Sequence, residues 1–264
     1  EEMLTEGDGQ IRGFINVGGN PVLSFPNGSL VDKALASLDF MVALDPYINA
    51  TSRHANIILP APNAIHCDHY ELVFYSLAVR NVAKFNEPVI TPQAGAMKDW
   101  EIMVALAQRI SKRKGKPVLP TVSPAEIIDQ ALQQGRYGKG MGHPLGLSLD
   151  KLKKYPSGID LGPLEPRLPD CLQTPDQKVR CDPPEQMKDL ERLKVELFDN
   201  RNKMGLVLTG RRHMRSKNTQ TQNCQRLMRG PNLCLLFMHP DDLAKRQLRD
   251  GELVKIASKV GTIT

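Results

Sequence analysis

The fold is decided by the stretch Ile11-Arg-Gly-Phe-Ile-Asn-Val17, which is followed by the turn Gly18-Gly-Asn-Pro21 and later by Phe40-Met-Val-Ala-Leu44. Both apolar runs are too short for an independent helix, and an amphipathic segment that reaches Leu38 lies between them. This order predicts a βαβ unit. A third apolar run, Asn56-Ile-Ile-Leu-Pro60, extends the pattern, so we expect an α/β protein with a parallel sheet.

Small and polar residues stand where each of the first two strands ends. Gly18, Gly19, Asn20 and Pro21 follow the first strand, and Asp45 follows the second. In an open parallel sheet, ligands bind outside the carboxyl ends of the strands, where turns and helix N-termini offer N–H groups to anionic oxygens. The arrangement suits a nucleotide, with backbone amides for phosphate and a carboxylate for a base edge or a ribose hydroxyl. Gly-Gly-Asn-Pro is also the composition of a plain tight turn, so the motif alone leaves both interpretations open.

A basic loop near the carboxyl end forms a second group of candidate residues. It follows the buried strand predicted at Gly205-Leu-Val-Leu-Thr-Gly210 and reads Arg211-Arg-His-Met-Arg-Ser-Lys-Asn218. Guanidinium groups bind phosphate by paired hydrogen bonds, and serine, asparagine and backbone N–H groups suit phosphate oxygens. A solvated basic loop is the alternative interpretation.

The segment after this loop predicts a short series of elements. These are a strand at Asn232-Leu-Cys-Leu-Leu-Phe-Met238, a short helix within His239–Leu248 opened by proline and acidic residues, an Asp-Gly turn, a strand at Leu253-Val-Lys-Ile-Ala-Ser258 and the start of a hairpin at Val260.

The first group of motifs resembles the third domain of the molybdopterin oxidoreductases of the dimethyl sulfoxide reductase and formate dehydrogenase type. The shared order runs from the first strand and Gly-Gly-Asn-Pro through Ser24, Asp45 and a cap at Thr51 to the run that ends in Leu59-Pro60. That family usually has an aspartate where Asn56 stands here. The second group, from Leu-Thr-Gly-Arg to the Ser-x-x-Gly hairpin, resembles the double-psi β-barrel of the same family.

The resemblance implies an α/β fold in which a Rossmann-like parallel-sheet domain is followed by a truncated double-psi β-barrel domain. It divides the chain into an α/β domain at residues 1–134, a Gly/Pro-rich connection with a helix at 135–200, and the start of a cofactor-binding barrel at 201–264. It implies an oxidoreductase, formate dehydrogenase-like, that holds molybdenum or tungsten between two molybdopterin guanine dinucleotides. The implied cofactor contacts are Gly19, Asn20, Pro21, Ser24, Asp45, Thr51, Thr209, Gly210, Arg211, Arg215 and Ser216.

The same resemblance implies what these residues lack. In proteins of this family, the metal ligand and the cysteines of a 4Fe–4S cluster lie in the amino-terminal half, so no catalytic and no metal-ligating residue is assigned here. The chain opens on Glu1 without a methionine, which indicates a fragment. A small-molecule substrate and an electron-transfer subunit are the expected partners.

Two other classes of protein remain as alternatives. The first is a cofactor-free scaffold related to the large iron–sulfur subunit of respiratory complex I, for which loss of the basic loop would be the sign. The second is a nicotinamide-dependent dehydrogenase, which would need Gly-x-Gly-x-x-Gly at the first turn. This chain has Gly-Gly-Asn-Pro there, and Pro21 is expected to break a helix at that point.

Composition narrows the classes further. The formal net charge is +6, but only 5% of residues are aromatic and no nucleic-acid-binding motif accompanies the basic clusters, so we expect no nucleic-acid partner. The five cysteines form no CxxC pair, which favours reduced thiols in a cytoplasmic protein. No apolar run is long enough to span a membrane. His66, Asp68 and His69 are interpreted as loop residues in preference to a metal site.

Three further helices are predicted outside the two groups. One starts at Asp99-Trp100 and buries Trp100, Met103, Val104, Ala107 and Ile110; one follows the capping box Ser123-Pro-Ala-Glu126 to Gln134; and one covers the amphipathic stretch from Pro183 to Phe198. Glycine, proline and lysine dominate from Gly135 onwards, so that stretch is expected to lack regular elements.

Overall fold

The computed structural model describes residues 1–199, 205–215, 217–221, 224–231 and 234–264. Its centre is a parallel sheet of three strands in the order β1 (Gly13–Val17), β2 (Phe40–Leu44) and β3 (Ile57–Leu59). Val17 pairs with Leu44, and Leu44 pairs with Leu59, so all three strands end at one edge. The predicted α/β class with a parallel sheet is confirmed.

Two helices connect β1 to β2. The predicted helix is present as α2 (Gly28–Ala36), but a single turn, α1 (Pro21–Ser24), precedes it. The expectation that Pro21 would break a helix is wrong, because it occupies the first helical position, where no N–H is needed. Asn27 has a φ of 55° and separates the two helices, and its side chain accepts a hydrogen bond from the Leu30 N–H.

The core on one face of the sheet is formed by Val42 and Leu44 with Ile102 of α3 (Asp99–Arg113), and Leu59 and Leu106 pack against this cluster. The predicted helix is therefore confirmed, but its predicted buried face is wrong. Met103, Ala107 and Ile110 are exposed. Apolar residues occupy more than one side of α3, and the narrow sheet covers only the Ile102–Leu106 side, which spacing alone could not select.

The middle of the chain confirms one helix and adds elements. The capping box forms as predicted at α4 (Pro124–Gln134), where Ser123 Oγ accepts from the Glu126 N–H and the Glu126 carboxylate accepts from the Ser123 N–H. The expectation of no regular elements after Gly135 is wrong. The short helix α5 (Leu149–Lys153) forms there because its Leu149 and Leu152 are buried.

Contacts divide the chain into two compact units, residues 1–70 with 85–154 and 213–264, and residues 71–84 with 155–212. The first also contains β4 (His69–Tyr70), which pairs antiparallel with β6 (Phe85–Asn86). The second contains β5 (Arg80–Ala83) paired antiparallel with β7 (Ile159–Pro163), and the helix α6 (Pro184–Lys194), which continues as a π-helical turn to Asp199.

The carboxyl-terminal part confirms two of the predicted features, a helix and a hairpin. A turn of helix, α7 (Gln225–Met228), is followed by α8 (Pro240–Lys245), which is the predicted helix, and by the hairpin of β8 (Ile256–Ser258) and β9 (Gly261–Ile263). Residues 205–210 and 234–238 are not strands, and residues 232 and 233 of the second predicted strand lie outside the described residues. An apolar run forms a strand only when it has a hydrogen-bonded partner, because the intrinsic strand preference of its residues is weak. No closed barrel is found within the described part of the chain.

Gly28 provides a test of the packing of α1 against α2. A Cβ atom at this position would lie 2.4 Å from the main-chain oxygen of Val22, so Gly28→Ala forces backbone to move. We expect Gly28→Ala to lower the free energy of unfolding by about 1–3 kcal/mol in urea denaturation. Gly205→Ala, where a Cβ meets open space, is the control. Equal or higher stability of Gly28→Ala, as for an unhindered helical glycine, would contradict this packing.

Candidate functional site

Buried polar residues gather at the carboxyl ends of β1 and β2 and in the turns that follow. They are Asn16, Asn20, Asp45, Thr51 and Ser52, each no more than 8% exposed. A buried polar group costs free energy unless it is hydrogen-bonded, and every one of these side chains has a partner. The edge of the sheet therefore carries a connected polar network.

The first turn is held from within. Gly18 has a φ of +61°, and its N–H donates to the Leu44 oxygen at 2.9 Å, which closes the end of β1 against β2. Asn16 Nδ2 donates to the Gly19 oxygen at 2.8 Å. Ser24 Oγ donates to the main-chain oxygen of Asn20 at 2.9 Å, so the Ser24 hydroxyl fixes the start of α1.

The second turn is built around Asp45 and Asn49. Asp45 Oδ1 accepts from the Tyr47 N–H at 2.9 Å, and Oδ2 accepts from Asn49 Nδ2 at 2.8 Å. Asn49 Oδ1 accepts from the N–H groups of Thr51 and Ser52 at 2.9 and 3.0 Å, which caps the 3₁₀ turn Ser52–His54. The carboxylate is thus held in one orientation at the end of β2.

Thr51 joins the two turns. Its Oγ1 donates to Asn20 Oδ1 at 2.8 Å and accepts from the Val22 N–H at 3.1 Å. The hydroxyl is fully buried, and both contacts lie inside the protein. Thr51 therefore acts on any ligand at this edge through the turn residues that it holds.

An outer layer fastens the second turn to α2. Asp32 Oδ1 lies 2.6 Å from Arg53 Nη2 and 2.6 Å from His54 Nε2. The hydrogen bond from Arg53, followed by that from His54, lowers the pKa of the Asp32 carboxyl. Asn56, which stands where the family usually has aspartate, accepts from the Met41 N–H through its Oδ1 at 2.7 Å and so supports β2.

Sequence reasoning predicted Asn20, Asp45 and Thr51, and the structure brings these three into one network. It missed Asn16 and Asn49 as organising residues. A polar residue inside an apolar strand run was the available signal for Asn16. For Asn49, the signal was its place two and three residues before two N–H groups, where an asparagine oxygen accepts them in a turn.

The candidate residues of the carboxyl-terminal part have different surroundings. Thr209, Gly210 and Arg211 lie in exposed chain outside any helix or strand. Arg215 is half-buried, and its Nη1 donates to the Arg229 oxygen at 3.0 Å. Ser216 lies outside the described residues.

Of the three residues interpreted as loop residues, His66 ends a 3₁₀ turn at Ala64–His66, Asp68 lies outside helices and strands, and His69 begins β4, so the interpretation is wrong for His69. Asp68 pairs with Lys98. Burial is the largest influence on the pKa of Asp68 and raises it, but the hydrogen bonds from Lys98 and from the main chain, together with the charges of Lys98 and Lys153, outweigh burial and lower the pKa. His66 Nδ1 lies 3.1 Å from the Ile90 oxygen. Across the described ranges, no three His, Cys, Asp or Glu side chains form a metal-binding group. Within those ranges, no helix is long and apolar enough to cross a membrane.

A pocket of about 520 Å³ lies beside Leu59 and Pro60, at the carboxyl end of β3, and is also lined by residues 93–97 and one side of α3. Apart from Gln93 and Arg109, its lining side chains are apolar or absent. It offers few side-chain donors to phosphate, so the turns after β1 and β2 are the better candidate for binding a nucleotide.

Two family models match the chain. Residues 2–109 match the molybdopterin oxidoreductase model, and residues 206–264 match the model described as "Molydopterin dinucleotide binding domain". The chain belongs to the molybdopterin oxidoreductase family. All candidate residues of both groups lie within the matched ranges.

Relatives in this family differ in the reactions that their names give. The chain is 28% identical over 277 residues to the assimilatory nitrate reductase catalytic subunit of Bacillus subtilis. This match covers 100% of this chain and 36% of that protein. It is 26% identical to the F420-dependent formate dehydrogenase subunit alpha of Methanocaldococcus jannaschii, with 100% of this chain and 37% of that protein covered. The chain thus spans little more than a third of the length of these two relatives.

Thr51→Val tests the link between the turns after β1 and β2. The substitution keeps the shape of the side chain but leaves Asn20 Oδ1 and the Val22 N–H buried without partners. We expect a loss of about 1–3 kcal/mol in the free energy of unfolding, measured in urea. Thr262→Val, at an exposed position of β9, is the matched control. A Thr51→Val protein as stable as the control would show that the link carries no weight.

The low pKa of Asp32 predicts a pH dependence of stability. A carboxyl whose folded pKa lies below its unfolded value of 3.8 stabilises the fold above that value, and the contribution is lost as the pH falls through the lower folded pKa. We expect Asp32→Asn to lower the melting temperature at pH 7 and to converge with the wild type in strong acid. Melting curves from neutral pH to below pH 3.8 test this, with exposed Asp8→Asn as the control. A constant difference across that range would contradict the assignment.

Proposed function

We propose that the intact protein is a molybdenum- or tungsten-dependent oxidoreductase and that these residues bind its two molybdopterin guanine dinucleotides. The observation that carries the proposal is the buried polar network that joins the turns after β1 and β2. A cofactor-free scaffold would have no need to fix a carboxylate and a glycine turn at one edge of the sheet. The match to a dinucleotide-binding domain at residues 206–264 supports the same conclusion.

The residues at this edge fit the guanosine end of the cofactor. Within the described residues, the N–H groups of Gly19 and Asn20 donate to no acceptor, and in this proposal they donate to an anionic or hydroxyl oxygen of the cofactor. Each oxygen of Asp45 takes one internal donor, and a carboxylate has about four lone-pair sites in all. Asp45 can therefore accept two further N–H groups from a base. Pro21, Ser24 and Thr51 contribute by holding these groups in place.

The carboxyl-terminal residues fit the anionic part of the cofactor. In this proposal Thr209, Gly210, Arg211, Arg215 and Ser216 contact its phosphate and pterin groups. The half-buried guanidinium of Arg215 is already oriented by the Arg229 oxygen, which suits recognition of phosphate. The proposal includes a double-psi β-barrel at residues 201–264, which is supported by the order of α8 and the β8–β9 hairpin.

The cofactor divides the work with the protein. Its metal ion, when bound, supplies the oxidation and reduction of the substrate, while the protein supplies binding, orientation and electrostatics. We place the α/β domain at residues 1–134, the connection at 135–200 and the barrel at 201–264. Formate is the proposed small-molecule substrate, supported by similarity to formate dehydrogenase alpha subunits. Nitrate is the second candidate because of the similarity to a nitrate reductase over the whole chain.

The proposal includes an electron-transfer subunit as partner and a 4Fe–4S cluster elsewhere in the intact protein. The names of relatives such as the NADPH-Fe(3+) oxidoreductase subunit alpha of Geobacter sulfurreducens support the partner. The cytoplasm is the proposed compartment. All five cysteines lie in described residues and none forms a disulfide, which supports a reducing environment.

Cofactor analysis of the intact natural protein tests this function. We expect molybdenum or tungsten by elemental mass spectrometry, and about two guanosine monophosphates released by acid per chain. Folded protein that contains neither would contradict the enzyme and favour the scaffold. Steady-state assays with formate and with nitrate then identify the substrate.

A further inference from the structure

Asn49 occupies a position that the cofactor assignment above does not use. Its Nδ2 donates to Asp45 Oδ2 at 2.8 Å, and its Oδ1 accepts the N–H groups of Thr51 and Ser52 at 2.9 and 3.0 Å. The main chain of Asn49 is fixed as well, because its N–H donates to Ser52 Oγ at 2.9 Å. All hydrogen-bonding groups of this side chain therefore point in set directions.

The orientation of the Asn49 amide follows from its neighbours. Its oxygen must face Thr51 and Ser52, because both present N–H donors from the main chain. The opposite orientation would place an NH₂ group against two donors and an oxygen against the Asp45 carboxylate. Asn49 is thus locked as a donor towards Asp45.

This donor fixes the plane of the Asp45 carboxylate. With Tyr47 N–H on one oxygen and Asn49 Nδ2 on the other, each oxygen keeps one lone-pair site, so the carboxylate can take a further pair of donors. The edge of guanine presents such a pair, N1–H and the exocyclic N2–H. Hypoxanthine keeps N1–H but lacks the amino group, and adenine has an acceptor at N1.

We propose that Asn49 is a positioning residue that sets the base selectivity of the nucleotide site, by holding Asp45 to accept both N–H groups of a guanine edge. The inference rests on the proposed function, because it concerns the guanosine end of the same cofactor. It assigns to Asn49 a role that acts through Asp45 and requires no contact between Asn49 and the ligand.

The decisive variant is Asn49→Asp in the intact protein, prepared without cofactor. Aspartate keeps an acceptor for the Thr51 and Ser52 N–H groups, so the cap of the turn is retained, but the donor to Asp45 is replaced by a like charge. Asn27→Asp is the matched control, since Asn27 also caps a helix through its side-chain oxygen and the same charge is added. Asn49→Ser removes the donor without adding a charge.

The probes are guanosine diphosphate and inosine diphosphate, with affinities measured by calorimetry. We expect the wild type and Asn27→Asp to bind guanosine diphosphate roughly tenfold more tightly than inosine diphosphate, because one hydrogen bond to a charged group separates the two ligands. In Asn49→Asp and Asn49→Ser this ratio should fall to about one. A purely structural role would weaken both nucleotides equally and leave the ratio unchanged.

The possible results distinguish failure of the role of Asn49 from failure of the guanosine site itself. A tenfold ratio that persists in both Asn49 variants overturns the role of Asn49 and leaves the guanosine site intact. A wild type that binds neither nucleotide overturns the guanosine site of the proposed function, and the inference with it. If Asn49→Asp fails to fold, as shown by its melting curve, the uncharged Asn49→Ser decides the question.

Discussion

The hydrogen bond from Thr51 Oγ1 to Asn20 Oδ1 is the contact on which the proposed site depends. It joins residues that are 31 positions apart and fastens the turn after β2 to the turn after β1. Because the contact is buried, removal of one partner would leave the other without a hydrogen bond, since neither water nor another protein group could take its place. The same hydroxyl accepts the Val22 N–H, so the start of α1 is fixed by the same residue.

This hydrogen bond adds to the parallel sheet the orientation that the proposed site needs. Strands β1 and β2 bring Gly19 and Asp45 to one edge, but the sheet alone does not orient a carboxylate or a turn amide. Asn16 orients the first turn and Asn49 orients the second, and Thr51 makes the two turns one unit. Family membership explains which ligand such an edge would serve, and the hydrogen bonds explain how these particular residues would hold it.

Local patterns predicted much of the fold. The parallel strands, α2, the capping box of α4 and the β8–β9 hairpin follow from apolar spacing and from turn and cap residues, which act over a few positions. The buried side of α3 was predicted wrongly, because it depends on how much of the helix a narrow sheet can cover. The strand predicted at residues 205–210 was wrong for a related reason, since a strand depends on a partner distant in sequence. Asn49 was missed, because its hydrogen bond to Asp45 could be seen only in the structure.

Hydrogen–deuterium exchange on the intact protein, with and without its cofactor, tests the central claim most directly. The claim is that the two linked turns hold the guanosine end of the dinucleotide. The account predicts slower exchange on cofactor binding in peptides that cover both Gly18–Val22 and Asp45–Ser52, with the two segments protected together. Protection that spares both segments, or that reaches one without the other, would contradict it.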